Sequence, residues 1–234
     1  PDRGARRRRV PGAARVNRWR ARPGSLHPGW PLAVGPLRVP AGLIRLRPPR
    51  LRDGVEWSRI RIDDQPALEP WEPSVDIGWQ ERHSRGAWPS LLRGMRSEAR
   101  LGRMLPYVIE LDGALCGQLT IGNVTQGALR SAWIGYWVHS TVTGGGVATG
   151  ALALGLDHCF GPVGLHRVEA TVRAENAPSR RVLAKAGFRE EGVLVRYLHV
   201  DGAWRDHLLV ALTVEEIEGS VTAALVRAGR ASWG

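Results

Sequence analysis

Residues 143–148, Thr143-Gly144-Gly145-Gly146-Val147-Ala148, lie between a run that reads as a strand and a run that reads as a helix. Three consecutive glycines permit positive φ and close approach of a ligand to the backbone. Amides at the start of a helix point outward, and the helix dipole adds partial positive charge there. Such a turn can hold a pyrophosphate without any lysine. Ala148 and Gly150, small residues of the first helical turns, are expected to face that ligand. The pattern is not a Walker A loop, which ends in Gly-Lys-Ser/Thr. Its spacing is not the dinucleotide fingerprint either, and the preceding strand is the third of a meander rather than the first of a βαβ unit. A plain flexible glycine turn fits the same residues when they are taken alone.

Other chemistries find less support. Cys116 and Cys159 are far apart and form neither a disulfide framework nor a zinc cluster. The seven histidines show no metal-ligand spacing, so no metal is expected. No run approaches the roughly 18–20 apolar residues that span a bilayer, and no secretory signal is visible. A reducing cytoplasm is the natural reading, with no membrane partner.

The elements that must position the turn follow from periodicity. Leu43–Arg47 alternates like a strand and stops at Pro48-Pro49. Asp53 is expected to cap a short helix carrying Val55, Trp57 and Ile60. Residues 63–78 read as a loop, and residues 79–101 as one longer helix with Trp88, Leu92, Met95 and Ala99 on its buried face. Pro106–Leu111 and Leu115–Gly122 flank Asp112-Gly113, a strong hairpin signal. Ser131–Val138 is the next strand, followed by the glycine turn and an apolar helix over 147–160. Arg167–Arg173 alternates as a strand. Ala177–Ala186 is a short helix with Pro178 in its first turn and Gly187 as its stop. Val193–Val200 and His207–Thr213 close a last hairpin around Asp201-Gly202. Strands alternating with helices in this order give an α/β (α+β) fold with a mixed sheet and helices on both faces.

The formal charge of +11 is unevenly placed. Residues 1–50 hold thirteen Arg, no Lys and one acid, which leaves 20 basic and 21 acidic residues in the other 184. Basicity therefore belongs to the amino-terminal segment. A run such as Arg6–Arg9 can contact phosphates, yet a tail without a role fits equally well, and nucleic acid is not expected as a partner. Lys185 is the only lysine. That bias suggests a GC-rich bacterial genome, whose upstream DNA would translate as Arg, Pro, Gly and Ala, as residues 1–31 do. The expected organisation is a 1–35 extension, disordered or non-native with a native start near Leu32 or Ala33, a 36–214 domain, and a 215–234 tail with helical spacing at Val221, Leu225 and Val226.

Two linked motifs carry a family resemblance. The strand Ile134-Gly135-Tyr136-Trp137-Val138 leads into the glycine turn, where Gly146 and Ala148 match the fixed positions of Arg/Gln-x-x-Gly-x-Gly/Ala and Thr143 replaces the Arg/Gln. About thirty residues later stand Asn176-x-x-Ser179, Leu183, Ala186, Gly187 and Phe188. From about Leu43 to Thr213 the chain resembles the GNAT acetyltransferase superfamily, and within it the RimJ/RimL-like ribosomal-protein alanine N-acetyltransferases. The resemblance implies a GNAT fold, with a mostly antiparallel, splayed sheet of about 6–7 strands. It implies acetyl-CoA as cosubstrate, bound by Trp137, Val138, Thr143, Gly144, Gly145, Gly146, Val147, Ala148, Asn176 and Ser179. Val138 would meet the pantetheine arm, the amides of Gly144–Ala148 the pyrophosphate, and Ser179 the sulfur.

Transfer of acetyl from a thioester to an amine needs a neutral amine, a donor for the oxyanion and a proton for the thiolate. A peptide α-amine has a pKa of about 8, so a weak base or a water chain suffices. The backbone amide of Val138 or of its neighbour is the natural oxyanion donor. The tyrosine that many relatives carry seven residues after the asparagine is Leu183 here, so Ser179 is the candidate acid. A serine that merely caps or packs the helix is the alternative. No base is evident. Trp133 occupies the strand position where the wider family often has glutamate, Glu110 is a candidate, and Glu169 fits better as an arginine's partner. His139 follows Val138 and reads more readily as a turn residue. The loop at 63–78 carries Asp63, Asp64, Glu69, Glu72 and Asp76 without Lys or Arg, which would draw a cationic amine. Trp71 and Glu72 are the candidate acceptor contacts. The function that follows is acetyl-CoA-dependent N-acetylation by direct transfer to a protein α-amine, and the resemblance implies a ribosomal protein as the acceptor. The alternatives are a small amine or aminoglycoside acceptor, or a non-catalytic acetyl-CoA sensor. A monomer or homodimer fits equally.

Overall fold

Strands with one apolar face pair in sequence order until the chain crosses over the sheet. The computed structural model describes residues 30–234. Its elements are β1 (Val34–Val39), β2 (Gly42–Arg47), α1 (Gly54–Asp63), α2 (Gln65–Leu68), α3 (Trp79–Arg82), α4 (Trp88–Arg100), β3 (Leu105–Leu111), β4 (Ala114–Thr125), β5 (Ser131–Val138), α5 (Val147–Phe160), β6 (Arg167–Val172), α6 (Ala177–Lys185), β7 (Arg189–Val200), β8 (Ala203–Thr213), α7 (Val221–Arg227) and β9 (Ser232–Trp233). The sheet order is β7-β8-β6-β5-β4-β3-β2-β1-β9, and the β5–β6 pair is the parallel one. The Arg-rich run and most of the 1–35 extension lie outside the described residues. Trp30 is buried and its indole N–H donates to the Pro106 carbonyl at 3.4 Å.

Among the described residues nine strands stand where about six or seven are expected. The extra ones are β1 and β9. β1 contains Gly35-Pro36, which breaks the sequence pattern, and its register with β2 shifts between Val34 and Leu37 to accommodate them. β9 is two residues long, too short to carry a period, and pairs with β1. The expected helix over 79–101 is two helices. Ala87 N–H donates back to the Ser84 carbonyl at 3.1 Å, closing a turn, and Pro89 sits in the first turn of α4. Residues 63–78 are likewise not simple loop, since they hold α2 and a 3-10 turn at Glu69–Trp71. Asp53 does not cap α1 with its side chain. That carboxylate takes the Arg47 guanidinium instead.

The sheet is covered on both faces. On one, α5 buries Val147, Ala151, Leu152 and Leu156 against Leu37, Ile44, Leu119 and Ile134 of the strands. Each large side chain so buried stabilises by about 1.5–3 kcal/mol. The carboxy-terminal segment joins this face, because Asp157 of α5 accepts from Val221 N–H at 2.7 Å and Thr222 N–H at 3.1 Å, and Val221 and Leu225 are buried. On the other face, Trp57, Ile60, Trp88, Leu92 and Met95 of α1 and α4 cover Val108 and Leu115.

A buried polar knot closes this second face. The Glu72 carboxylate accepts from both terminal nitrogens of Arg61, whose guanidinium lies over the rings of Trp79 and Trp137. His83 Nε2 sits 2.7 Å from Arg61, which can only donate, so Nδ1 carries the hydrogen and donates to the Trp79 carbonyl at 2.9 Å. Burial, and then the charges of Arg61 and Arg82, push the His83 pKa down to about 3. An unfolded histidine titrates near 6.5. Between those values the unfolded chain binds a proton that the folded one refuses, so stability falls as pH drops from about 6.5. From pH 7 to pH 5, His83→Gln is expected to lose about 2 kcal/mol less unfolding free energy than the wild type. Urea midpoints at the two pH values measure it. Equal losses in the two proteins would contradict the buried, neutral imidazole.

Candidate active site

Backbone geometry defines the cleft. β5 pairs with β6 through Ser131, Ala132 and Trp133, opposite Arg167, Val168 and Glu169. With β4 it stays paired as far as Val138, opposite Gly117. Beyond Trp133 the two parallel strands therefore part, while β6 continues alongside β8 to Val172. The N–H of His139 donates to the Cys116 carbonyl on β4 at 2.7 Å. Backbone groups alternate along a strand, so the N–H and C=O of Val138 point into the gap. Trp133 lies at the closed end, its indole seated over Gly122 and Gly135, where added Cβ atoms would lie 2.5 and 3.0 Å from it.

The glycine turn follows at once. Thr143 Oγ donates to the Ser140 carbonyl at 2.8 Å and so holds the turn rather than reaching outward. Gly144 and Gly146 adopt φ of +80° and +82°, the left-handed region that penalises other residues. Gly145 packs on the β1–β2 turn, where Ala41 N–H donates to its carbonyl at 3.0 Å and a Cβ would meet Ala41 at 2.6 Å. Gly150 N–H to the Gly146 carbonyl, at 2.9 Å, is the first bond of α5. The amides of Val147 and Ala148 thus have no acceptor within the helix. Val147 itself is buried under the sheet. One expectation is corrected: Gly150 does not face a ligand. It faces β1 and β2, and a Cβ there would lie 2.6 Å from Ile44 and 2.8 Å from Val39. It stands three residues after Val147 and so shares that residue's buried face.

Across the gap stands the first turn of α6. Asn176 is its N-cap, with its side-chain oxygen accepting from Ser179 N–H at 3.1 Å. Ser179 Oγ is 3.1 Å from the hydroxyl of Tyr136 on β5. The structure therefore brings the start of α6, with Asn176 and Ser179, against Tyr136 on β5, two residues before Val138 and the turn that follows it.

Glu110 is elsewhere. Its carboxylate accepts from Arg47 Nε at 2.5 Å, and the same guanidinium makes a two-pronged pair with Asp53 at 2.7 and 2.8 Å. That commitment suits a structural ion pair better than a base. Glu169 likewise accepts from Arg167 Nε at 2.6 Å. His139 Nε2 is 3.7 Å from Asp64 Oδ1.

The segment after α1 packs against the chain just beyond the end of β5. Asp64 is buried there and accepts from both Ser140 N–H at 2.6 Å and Ser140 Oγ at 2.7 Å, which ties this segment to the glycine turn. Trp71 is part exposed, with the Arg173 guanidinium 5.4 Å over its ring. Glu72 is held by Arg61. Ser74 N–H donates to the His199 carbonyl at 2.9 Å, docking the segment on β7. Sequence reasoning missed the Asp64–Ser140 tie and the Tyr136–Ser179 contact, since each joins residues far apart in the chain. Both cysteines are buried, and burial pushes the Cys116 thiol up to about 12 and Cys159 in the same direction. Neither is a ready nucleophile.

A family profile for an acetyltransferase (GNAT) domain matches residues 44–189. The structure superposes on Mycobacterium smegmatis RimJ in complex with CoA-disulfide with a TM-score of 0.88 and 68% identity, covering 89% of this chain and all of that one. The Escherichia coli [ribosomal protein uS5]-alanine N-acetyltransferase is 29% identical over 174 residues, covering 70% of this chain and 84% of the relative. The Bacillus subtilis protein named Probable N-acetyltransferase YjcK is 39% identical over 101 residues, which cover 43% of this chain and 56% of that relative's length.

Proposed function

Because the chain belongs to the GNAT acetyltransferase family, we propose that it transfers the acetyl group of acetyl-CoA directly to the α-amine of a protein, with a ribosomal protein as the acceptor class. The observation that carries this is the parting of β5 from β6 beside the glycine turn. A gap lined by unpaired strand backbone, next to a helix start preceded by three glycines, fits a pantetheine arm and its pyrophosphate. The acceptor class rests on the relatives, one named RimJ and one named for alanine acetylation of a ribosomal protein. On this reading the enzyme acts in the cytoplasm, where it meets ribosomal proteins.

This chain's residues then divide the work. The amides of Gly144–Ala148 hold the pyrophosphate, and Trp137 and Val138 border the pantetheine arm. The Val138 N–H, aimed into the gap, meets the oxygen that becomes negative as the amine attacks. Asn176 shapes the first turn of α6 and thereby sets Ser179 beside the departing sulfur. The amine loses one proton as the amide forms and the thiolate gains one, so the exchange balances without an acyl-enzyme. Water accepts the amine's proton, which suits an α-amine of pKa about 8.

The engaged acids favour a peptide over a polycation. Asp63 pairs with Arg59, Asp64 bonds Ser140, and Glu72 bonds Arg61. Glu69 accepts from the Gln65 side-chain amide at 2.7 Å, so four of the five carboxylates of this segment are committed within the protein. Trp71, exposed at the segment's edge, remains the acceptor contact of this reading, while Glu72, paired with Arg61 and Arg82, shapes the wall beside it.

Thiol release from acetyl-CoA, measured with peptides starting in Ala or Ser beside aminoglycosides and polyamines, tests the proposal. Turnover on the peptides is expected. Turnover confined to the small amines would transfer the function to their acetylation. Binding of acetyl-CoA without turnover on either would leave a sensor.

A further inference from the structure

The Tyr136 side chain leaves β5 on the same face as Val138 and reaches α6, where its hydroxyl lies 3.1 Å from Ser179 Oγ and 3.4 Å from the Ser179 carbonyl. A phenol is a stronger acid than an aliphatic alcohol, and Ser179 Oγ lies nearer to it than the carbonyl does, so the phenolic hydrogen goes to Oγ. The Ser179 hydroxyl hydrogen is then not needed by Tyr136 and is available to a third group. Left alone, a serine in a helix turns its hydrogen to the carbonyl three or four residues back. Here Glu175 and Asn176 stand at those positions.

We propose that Tyr136 is a positioning residue, whose phenol donates to Ser179 Oγ and turns the Ser179 hydroxyl hydrogen toward the departing sulfur. This rests on the reading that Ser179 faces that sulfur. Tyr136 gives up no proton in the step. The proton that ends on sulfur balances the one lost by the amine, and Ser179 polarised by the phenol makes a stronger hydrogen bond to the thiolate while the charge is there. Burial pushes the phenol pKa up to about 12, so the donor stays protonated at any working pH.

The test compares Tyr136→Phe, Ser179→Ala and the double variant in the full chain, by kcat, KM for acetyl-CoA, calorimetric affinity for coenzyme A, and melting temperature. Y136F is expected to lower kcat about five- to tenfold, the worth of one hydrogen bond, with coenzyme A affinity within about twofold of wild type on the same grounds. The double variant should match S179A, because both changes remove one device. If S179A loses activity while Y136F keeps it, this inference fails and the role of Ser179 stands. If S179A itself keeps full activity, the reading beneath the inference fails too. Effects that multiply in the double variant would make Tyr136 independent of Ser179 and overturn the inference. So would loss of affinity and melting temperature at unchanged kcat, the mark of a mere pin between β5 and α6. Should Y136F not fold, fluorotyrosine at position 136 keeps the shape and strengthens the donor. A raised kcat then supports the inference and an unchanged one overturns it.

Discussion

Gly146→Val is expected to weaken coenzyme A binding by at least about a hundredfold, an estimate resting on the strength of charge-assisted hydrogen bonds. The residue holds φ +82°, where a β-branched side chain costs about 1–3 kcal/mol. There is also no room, because a Cβ would lie 3.1 Å from Pro40 and 3.3 Å from Val39. β1 and its turn are packed from behind, so the glycine turn must yield instead. Its amides then cease to converge, and each lost bond to a phosphate costs about 1.5–3 kcal/mol. Gly144→Ala is the control. That glycine has φ +80° but nothing within 4 Å of an added Cβ. It should cost about tenfold or less, from strain alone. Calorimetry with coenzyme A on both folded variants measures the difference. Near-wild-type affinity in folded Gly146→Val would remove the turn from the binding site.

Arg47→Ala is expected to cost about 3–5 kcal/mol of stability, the usual toll of stranding buried charges. At this chain length that lowers the melting temperature by about 10 °C. Arg47 and Asp53 have side-chain exposures of 8% and 5%, and Glu110 of 16%. Removing the guanidinium leaves two carboxylates without their partner, whereas Glu110→Gln leaves the Arg47–Asp53 fork intact. Glu110→Gln should therefore lose about 1–2 kcal/mol and keep its turnover. Denaturant unfolding and acetyl transfer, measured on both variants, separate the two roles. Lost turnover in a well-folded Glu110→Gln would restore that residue as a base.

Local chemistry was the part of the fold that sequence could carry. Asp112-Gly113 does turn a hairpin, with φ of +50° and +86° at its two residues. The apolar run after the glycines is a helix over Val147–Phe160, and Pro178 does open α6. β1 stayed hidden because Gly35-Pro36 interrupts its alternation. The helix expected over 79–101 broke where Ser84 closes a turn, a competition between side chain and backbone that apolar spacing does not register. Within the site, the residues that contribute backbone were legible from glycine content and strand pattern. Side-chain partners were not. Glu110 looks like a free carboxylate until Arg47, 63 positions away, is folded against it. Asp64 meets Ser140 across 76 residues, and Tyr136 meets Ser179 across 43. Periodicity tells which face a residue occupies, but distant pairing decides which groups remain available for chemistry.

Direct transfer from acetyl-CoA to a peptide α-amine is the central claim, and intact-mass spectrometry of enzyme and peptide in one mixture tests it most directly. Mixed with acetyl-CoA alone, the enzyme should keep its own mass, since both of its thiols are buried and hard to ionise. When an Ala-starting peptide is added, the peptide should gain one acetyl group at its α-amine while the enzyme remains unchanged. An enzyme that itself gains the acetyl group before the peptide arrives, or a peptide acetylated elsewhere than its amino terminus, would contradict the account.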